Sequence, residues 1–235
     1  MSERESMPLK SIGVALFGVS LLLIVVDQLL FNLRPGEKLD ALLYIYFDVT
    51  REGNVPTFWN AALLLLVGAT AALVAYLTPG RAVGWWVAAA VATLMSLDET
   101  VQIHEHLNGL GNAIQAWLGV TFPTFTWLIP GILIALAGAV LLWIWSGRQP
   151  TTTRRGLRLA VVLYGGGVVA VEAVGGMVWR ATSGGSAYQA MAGLEELLEM
   201  TGAVVAVLAV LAMLVVTRID GIRSISTMSR AAVEE

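Results

Sequence analysis

The segment Asp98-Glu99-Thr100-Val101-Gln102-Ile103-His104-Glu105-His106 places three acids and two imidazoles at the end of an apolar run. Carboxylates and imidazoles together are ligands for iron, manganese or zinc, and they are also the groups that take and return protons near neutral pH. Glu172 stands alone in a second apolar run, and Glu195, Glu196 and Glu199 stand in a third. An ionisable group at bilayer depth costs about 2.5–3.5 kcal/mol on insertion scales, so each of these acids needs a compensating partner.

The elements that must position them are apolar helices. The chain is 57% hydrophobic and 13% charged, too apolar for a soluble domain of its length, and its apolar residues come in blocks of the size that crosses a bilayer. The lipid bilayer is the expected environment, and no nucleic-acid partner is expected. The reading is an all-α, polytopic transmembrane helical bundle with six spans at about 11–31, 57–77, 83–106, 125–146, 157–179 and 188–217. Residues 1–10 and 218–235 form cytoplasmic tails around a membrane domain of residues 11–217. The first span contains Asp27, and no small-x-small cleavage site follows it, so it is expected to stay as a helix rather than leave as a signal peptide.

Charge sets the orientation. With both termini cytoplasmic, the inner side holds Arg4, Lys10, Arg81, Arg148, Arg154, Arg155, Arg158, Arg218, Arg223 and Arg230, and the outer side holds only Arg34, Lys38, Arg51 and Arg180. That asymmetry follows the positive-inside rule and suits a bacterial inner membrane. Between the first two spans, the run 40–48 is too short to cross and is expected at the interface or folded back as a lid. Gly53-Asn54 supplies a turn and Pro56 suits the first turn of the next helix. Trp59, Trp117, Trp127, Trp143, Trp145 and Trp179 fall near span boundaries, as interfacial tryptophans do.

This orientation brings the acids to one depth. Asp98, Glu99, Glu105 and His106 lie in the outer half of the third span, and Glu172 lies in the outer half of the fifth. At 1.5 Å per residue, Glu195, Glu196 and Glu199 sit roughly 10–16 Å below Tyr188 in the sixth. At about 100° per residue, Glu105, Asp98, Gln102, His106 and Glu99 share an arc of roughly 120°, and His104 points the other way. Gly165-Gly166-Gly167 and Gly175-Gly176 allow the fifth span to approach its neighbours.

The carboxylates outnumber the cations available to them, and a metal or retained protons must make up the difference. A divalent metal is expected, either iron, manganese or zinc, with Asp98, Glu99, His106, Glu196 and Glu199 as ligands. Glu105, Glu172 and Glu195 are the groups expected to move protons. The inventory is similar to that of di-iron and di-manganese bundles, although their Glu-x-x-His spacing is missing here. The absence of cysteine excludes thiolate-bound zinc. Duller roles are available: the helix dipole favours Glu195 and Glu196 near a helix start, Arg51 and Glu52 could pair in their loop, and His104 could be a solvated helix end.

The runs Phe47 to Thr57, Ser96-Leu97-Asp98-Glu99 with His104-Glu105, and Glu195-Glu196 with Glu199 resemble segments of a family of uncharacterised bacterial multi-pass membrane proteins of about six helices. The resemblance covers most of the spans and implies no activity. A zinc site of the alkaline ceramidase type needs three histidines, and this chain has two.

The residues favour a metal-dependent membrane enzyme acting on an apolar or lipid-like substrate, with hydrolysis and oxidation both within its chemistry. A proton or metal-cation transporter or channel is the alternative, and a non-catalytic accessory subunit of a membrane complex is the third reading.

Overall fold

The computed structural model describes residues 2–33, 38–80, 82–219 and 222–228. Arg34, Arg81 and Arg230, used above for the charge balance, lie outside the described residues, as do the side chains of Arg4, Lys38 and Asp40. Most of the described residues are helical. In order they are α1 (Leu9–Leu33), α2 (Lys38–Phe47), α3 (Val55–Leu77), α4 (Val83–Val101), α5 (Asn108–Leu118), α6 (Leu128–Ser146), α7 (Thr151–Gly165), α8 (Glu172–Thr182) and α9 (Ser186–Leu211). A short 3-10 turn, His104–Leu107, joins α4 to α5, and a wide π turn, Gly166–Val171, joins α7 to α8.

Four stretches are long and apolar enough to cross a membrane: Leu9–Leu33, Val55–Leu77, Leu128–Ser146 and Thr151–Thr182. They mark the chain as a membrane protein. The remaining two long helices, α4 and α9, are the ones carrying Asp98, Glu99, Glu195, Glu196 and Glu199. Their acids lower the mean apolarity, so sequence composition alone does not place these two helices across a bilayer.

The core forms around α9, which packs against α1, α3, α7 and α8, while α3 and α4 form an antiparallel pair. At one end, Ala71, Val74, Ala75, Trp85, Ala89, Leu157, Ala209 and Val210 make a dry cluster. Closer to the acids, Ile24, Leu63, Leu64, Met200, Ala203 and Val204 make a second. By contrast, α6 exposes Leu133, Ile134, Leu136, Val140, Leu141 and Ile144, the face a helix turns toward hydrocarbon.

The start of α3 follows its local sequence. Gly53 adopts φ +75°, the Asn54 side chain caps the helix by accepting from the Thr57 N–H, and Pro56 occupies the first turn. The other end of the chain departs from expectation. A helix to residue 217 followed by a polar tail is replaced by α9 ending at Leu211 and a three-stranded antiparallel sheet. Its strands are β1 (Ser2–Glu5), β2 (Leu214–Ile219) and β3 (Ile222–Thr227), with Ser2 opposite Ile219 and Leu214 opposite Thr227. The β-branched run Val215-Val216-Thr217 suits a strand, but its apolarity continues that of α9 and masks the change of period.

Candidate metal and proton site

The geometry of the site begins where α4 stops. Gln102 takes the left-handed conformation, φ 60° and ψ 40°, which costs a non-glycine residue roughly 1–2 kcal/mol. Asp98 stabilises this reversal. Its backbone carbonyl accepts from Gln102 N at 2.7 Å, and its carboxylate accepts from His104 N at 2.8 Å. The helical phase projected through residue 106 therefore fails, because the chain turns back after Val101.

The turn exchanges the two histidines. His104, expected to point away from the acids, meets Asp98 through Nδ1 at 3.1 Å and faces Glu52 through Nε2 at 3.5 Å. His106 is exposed, with Nδ1 on the Gln102 carbonyl at 2.7 Å. Ligand atoms of Glu52, His104 and Glu105 all lie within 4.8 Å of one another. The Asp98 contact orients the imidazole: a carboxylate on Nδ1 holds the ring and leaves Nε2 as the nitrogen that would coordinate a metal on giving up its proton. Arg51 does not pair with Glu52. Its Nε donates to Asp48 Oδ2 at 3.0 Å, leaving Glu52 to His104.

The charges around His104 tune both partners. Burial pulls the imidazole down, but the hydrogen bond and charge of Asp98, with the charges of Glu52 and Glu172, outweigh it and hold His104 up at about 9. Burial pushes Glu52 up to about 7; the His104 charge works against that, while Glu105, Glu99 and Asp98 add to it.

Deeper in the bundle, Asn60 joins three helices. Its Nδ2 donates to Glu99 Oε1 on α4 at 2.9 Å and to Glu199 Oε2 on α9 at 3.1 Å. Asn60 is completely buried, yet its Oδ1 has no hydrogen-bond partner, and neither do the buried Glu196 Oε2 and Glu52 Oε2. A buried acceptor left unpaired costs about 1–3 kcal/mol, so three of them mark a region short of donors. Glu196 also lies within electrostatic reach of Glu99, Glu52, Asp27 and Glu172.

On the next helix, Glu172 accepts from Trp127 Nε1 at 2.9 Å and lies beside Glu195 of α9. The π turn Gly166–Val171 immediately precedes Glu172, and glycine there permits the close approach to α9. A Cβ on Gly167 would stand 3.0 Å from both the Glu195 carbonyl oxygen and Glu199 Cγ. Trp127 is 6% exposed and its ring lies 4.8 Å from that of His104, so it lines the site instead of anchoring an interface.

Asp27 and Asp48 have structural duties. The fully buried Asp27 accepts from Gln189 Nε2 at 2.8 Å, Gln28 Nε2 at 2.8 Å and Val49 N at 3.2 Å, tying α1, α9 and the 48–54 turn together. Asp48 accepts from Thr50 and Arg51 within that turn. The 40–48 segment is thus pinned at its end, and α2 is held to α9 by Tyr44, whose hydroxyl donates to Gln189 Oε1 at 3.2 Å.

Among the described residues, no Lys or Arg forms an ion pair with Glu52, Asp98, Glu99, Glu105, Glu172, Glu195, Glu196 or Glu199. The acids named from the sequence come together in linked groups: Asp98 with His104, Glu99 with Glu199, and Glu172 with Glu195. Sequence reasoning passed over Asn60, Glu52 as a site residue, and the role of Trp127. The signal for Asn60 was present, since an amide within an apolar span needs a buried partner.

The family described as Domain of unknown function (DUF8692) matches residues 12–214. No curated protein and no solved structure matches the chain. The match encloses every acid of the site from Asp27 to Glu199, and the chain belongs to the DUF8692 family.

Proposed function

We propose that this protein is a metal-dependent membrane enzyme acting on an apolar or lipid-like substrate, with His104, Glu52 and Glu105 holding a divalent iron, manganese or zinc ion. The observation that carries the reading is the His104 ring, fixed by Asp98 on Nδ1 and presenting Nε2 to Glu52, with Glu105 in the same group of ligand atoms. The buried, partnerless Glu52 Oε2 fits the same ion. Asp98 becomes a positioning residue, and His104 replaces His106 as the imidazole ligand. A bound divalent ion would supply Lewis acidity and a water acidified toward neutral pH.

The chain's own residues supply the rest. Glu172 and Glu195 are the groups that would take and return a proton near His104, with the Trp127 indole N–H orienting Glu172. The exposed apolar faces of α4 and α6 give a hydrophobic substrate a lateral approach. The charge distribution supports six spans with both termini cytoplasmic in a bacterial inner membrane, which puts the acids near the outer face.

Metal analysis of the detergent-purified chain tests the proposal. One tightly held divalent ion is expected, and His104→Ala should release it; an unchanged metal content in that variant removes the reading.

A proton or cation transporter is the second reading, favoured by the adjacent Glu172 and Glu195 carboxyl groups within the helical bundle. The opposite end of the bundle speaks against it: among the described residues the buried charged side chains are Asp27, Asp48 and Glu199, and none of them lies at that end. Proteoliposome flux abolished by Glu172→Gln would reverse the order.

A further inference from the structure

We infer that the cavity between the 48–54 turn and the loop joining α8 to α9 binds the headgroup of a zwitterionic phospholipid, with its phosphate on Arg51 and its ammonium against Trp179 and Tyr188. The inference rests on the proposed function only in making that lipid the substrate; the binding itself requires no metal. The cavity holds about 240 Å³, and its walls include Phe31, Tyr44, Asp48, Arg51, Trp179 and Tyr188. Pockets that enclose a whole drug-sized ligand hold about 300–1,000 Å³, so this one takes a headgroup and leaves the acyl chains in the bilayer. Gly184 and Gly185, at φ +105° and +92°, complete the wall without side chains to fill it.

Charge selects the headgroup. Arg51 is tethered through Nε to the buried Asp48 carboxylate at 3.0 Å, and among the described residues no other group pairs with it. Its side chain is 63% exposed, so the two terminal nitrogens of the guanidinium can take a phosphate in a bidentate grip. A purely anionic ligand is disfavoured, because Tyr188 on the wall lies within electrostatic reach of Glu195, Glu172, Asp48 and Glu105. Asp48 already balances Arg51, and the further carboxyl groups favour a ligand with a positive end. The Trp179 and Tyr188 rings, with centroids 4.9 Å apart and planes tilted by 60°, supply the π systems that attract an ammonium. One guanidinium and one aromatic pair, carried by different elements around a single cavity, match a phosphate and an ammonium joined in one molecule. The turn also links this cavity to the metal site: Asp48 and Arg51 line the cavity, and the next residue, Glu52, meets His104 at 3.5 Å. A lipid held here by its headgroup is brought beside the ligands proposed for the metal.

Native mass spectrometry of the chelator-stripped, full-length protein in detergent tests this, with titration by phosphatidylethanolamine, phosphatidylglycerol or water-soluble phosphoethanolamine. One saturable phosphatidylethanolamine per chain is expected, held more tightly than either of the others. Arg51→Gln should weaken it about tenfold through the lost charge-assisted contact. Trp179→Leu should weaken phosphatidylethanolamine about threefold or more and leave phosphatidylglycerol unchanged. Arg154→Gln, at the start of α7, is the control and should bind as the wild type does. Size-exclusion elution and thermal unfolding report whether each variant is folded. Arg51→Lys, which keeps the charge and loses the fork, substitutes if Arg51→Gln fails and should also bind more weakly than wild type. Equal phosphatidylethanolamine binding in wild type and the Arg51 variant overturns the site. Phosphatidylglycerol bound as tightly as phosphatidylethanolamine overturns the zwitterion, and phosphoethanolamine bound as tightly overturns the lipid as its source. Metal content is read separately: a metal-free chain that still binds the lipid keeps this site and removes the proposed enzyme, while metal without lipid binding removes this site alone.

Discussion

The two halves of α9 are packed by opposite rules. From Met200 to Val210, Met200, Ala203, Val204, Val207 and Val210 are at most 3% exposed, and all but Val207 belong to the two apolar clusters. Burial of each valine or methionine there contributes about 1.5–3 kcal/mol. From Gln189 to Glu199, the same helix presents Gln189, Glu195, Glu196 and Glu199 to Asp27, Glu172, Glu99 and Asn60. That half leaves buried acceptors unpaired and collects like charges. The difference teaches where the bundle gets its stability and where it gives some up: one end is determined by shape, and the other is held ready for a proton or a cation. Such a trade is expected where a site needs groups that a stable core would exclude.

The comparison can be broken most forcefully at the apolar end. Val74→Asp puts an unpaired carboxylate at a wholly buried position, and should cost at least about 3 kcal/mol and prevent recovery of folded protein from detergent. A well-folded Val74→Asp chain would show that the dry cluster is not what holds the bundle. At the acid end, His104→Ala should cut divalent-metal affinity by about 100-fold or more, measured by equilibrium dialysis, with little loss of thermal stability. Asp98→Asn, which keeps the shape but weakens the hold on Nδ1, should cost about 10–100-fold in metal affinity. Equal metal binding in Asp98→Asn and wild type would deny Asp98 its positioning role.

A smaller effect sharpens the contrast. Glu196→Gln removes a buried acceptor and adds donors among carboxylates, so the metal-free protein should gain about 1 kcal/mol. Its thermal midpoint in chelator should rise; a fall would mean Glu196 already has a partner. The pH profile comes last in size. Both His104 at about 9 and Glu52 at about 7 bind their protons more tightly in the folded chain than unfolded. The Glu52 contribution is present below about 4.5 and lost as pH rises through about 7. The His104 contribution is present below about 6.5 and lost as pH rises through about 9. Thermal scans of the metal-free protein should show stability falling in two steps, with the upper step missing in His104→Asn.

Much of the architecture was legible in the residues. Long apolar runs dictate long helices, and the start of α3 at Asn54 and Pro56 follows from capping and from the fixed φ of proline. The strands at 214–219 and 222–227 were hidden because a valine-rich stretch reads alike as buried helix or strand over so few residues. The sequence Asp220-Gly221 between them, itself outside the described residues, is the hairpin signal that periodicity overlooked.

For the site, the sequence by itself determined the excess of buried carboxylate over cation and the three helices that carry it, because composition and span order do not depend on how side chains meet. Only the tertiary structure decided which groups meet. One residue in a left-handed conformation, Gln102, ended α4 and rotated His104 inward and His106 outward. The 48–54 turn, tied to Asp27, delivered Glu52 to that imidazole, and packing of α3 between α4 and α9 set Asn60 between two glutamates. Helical phase carries no information past a break, and contacts between residues 39 and 139 positions apart are fixed by packing that no local pattern records.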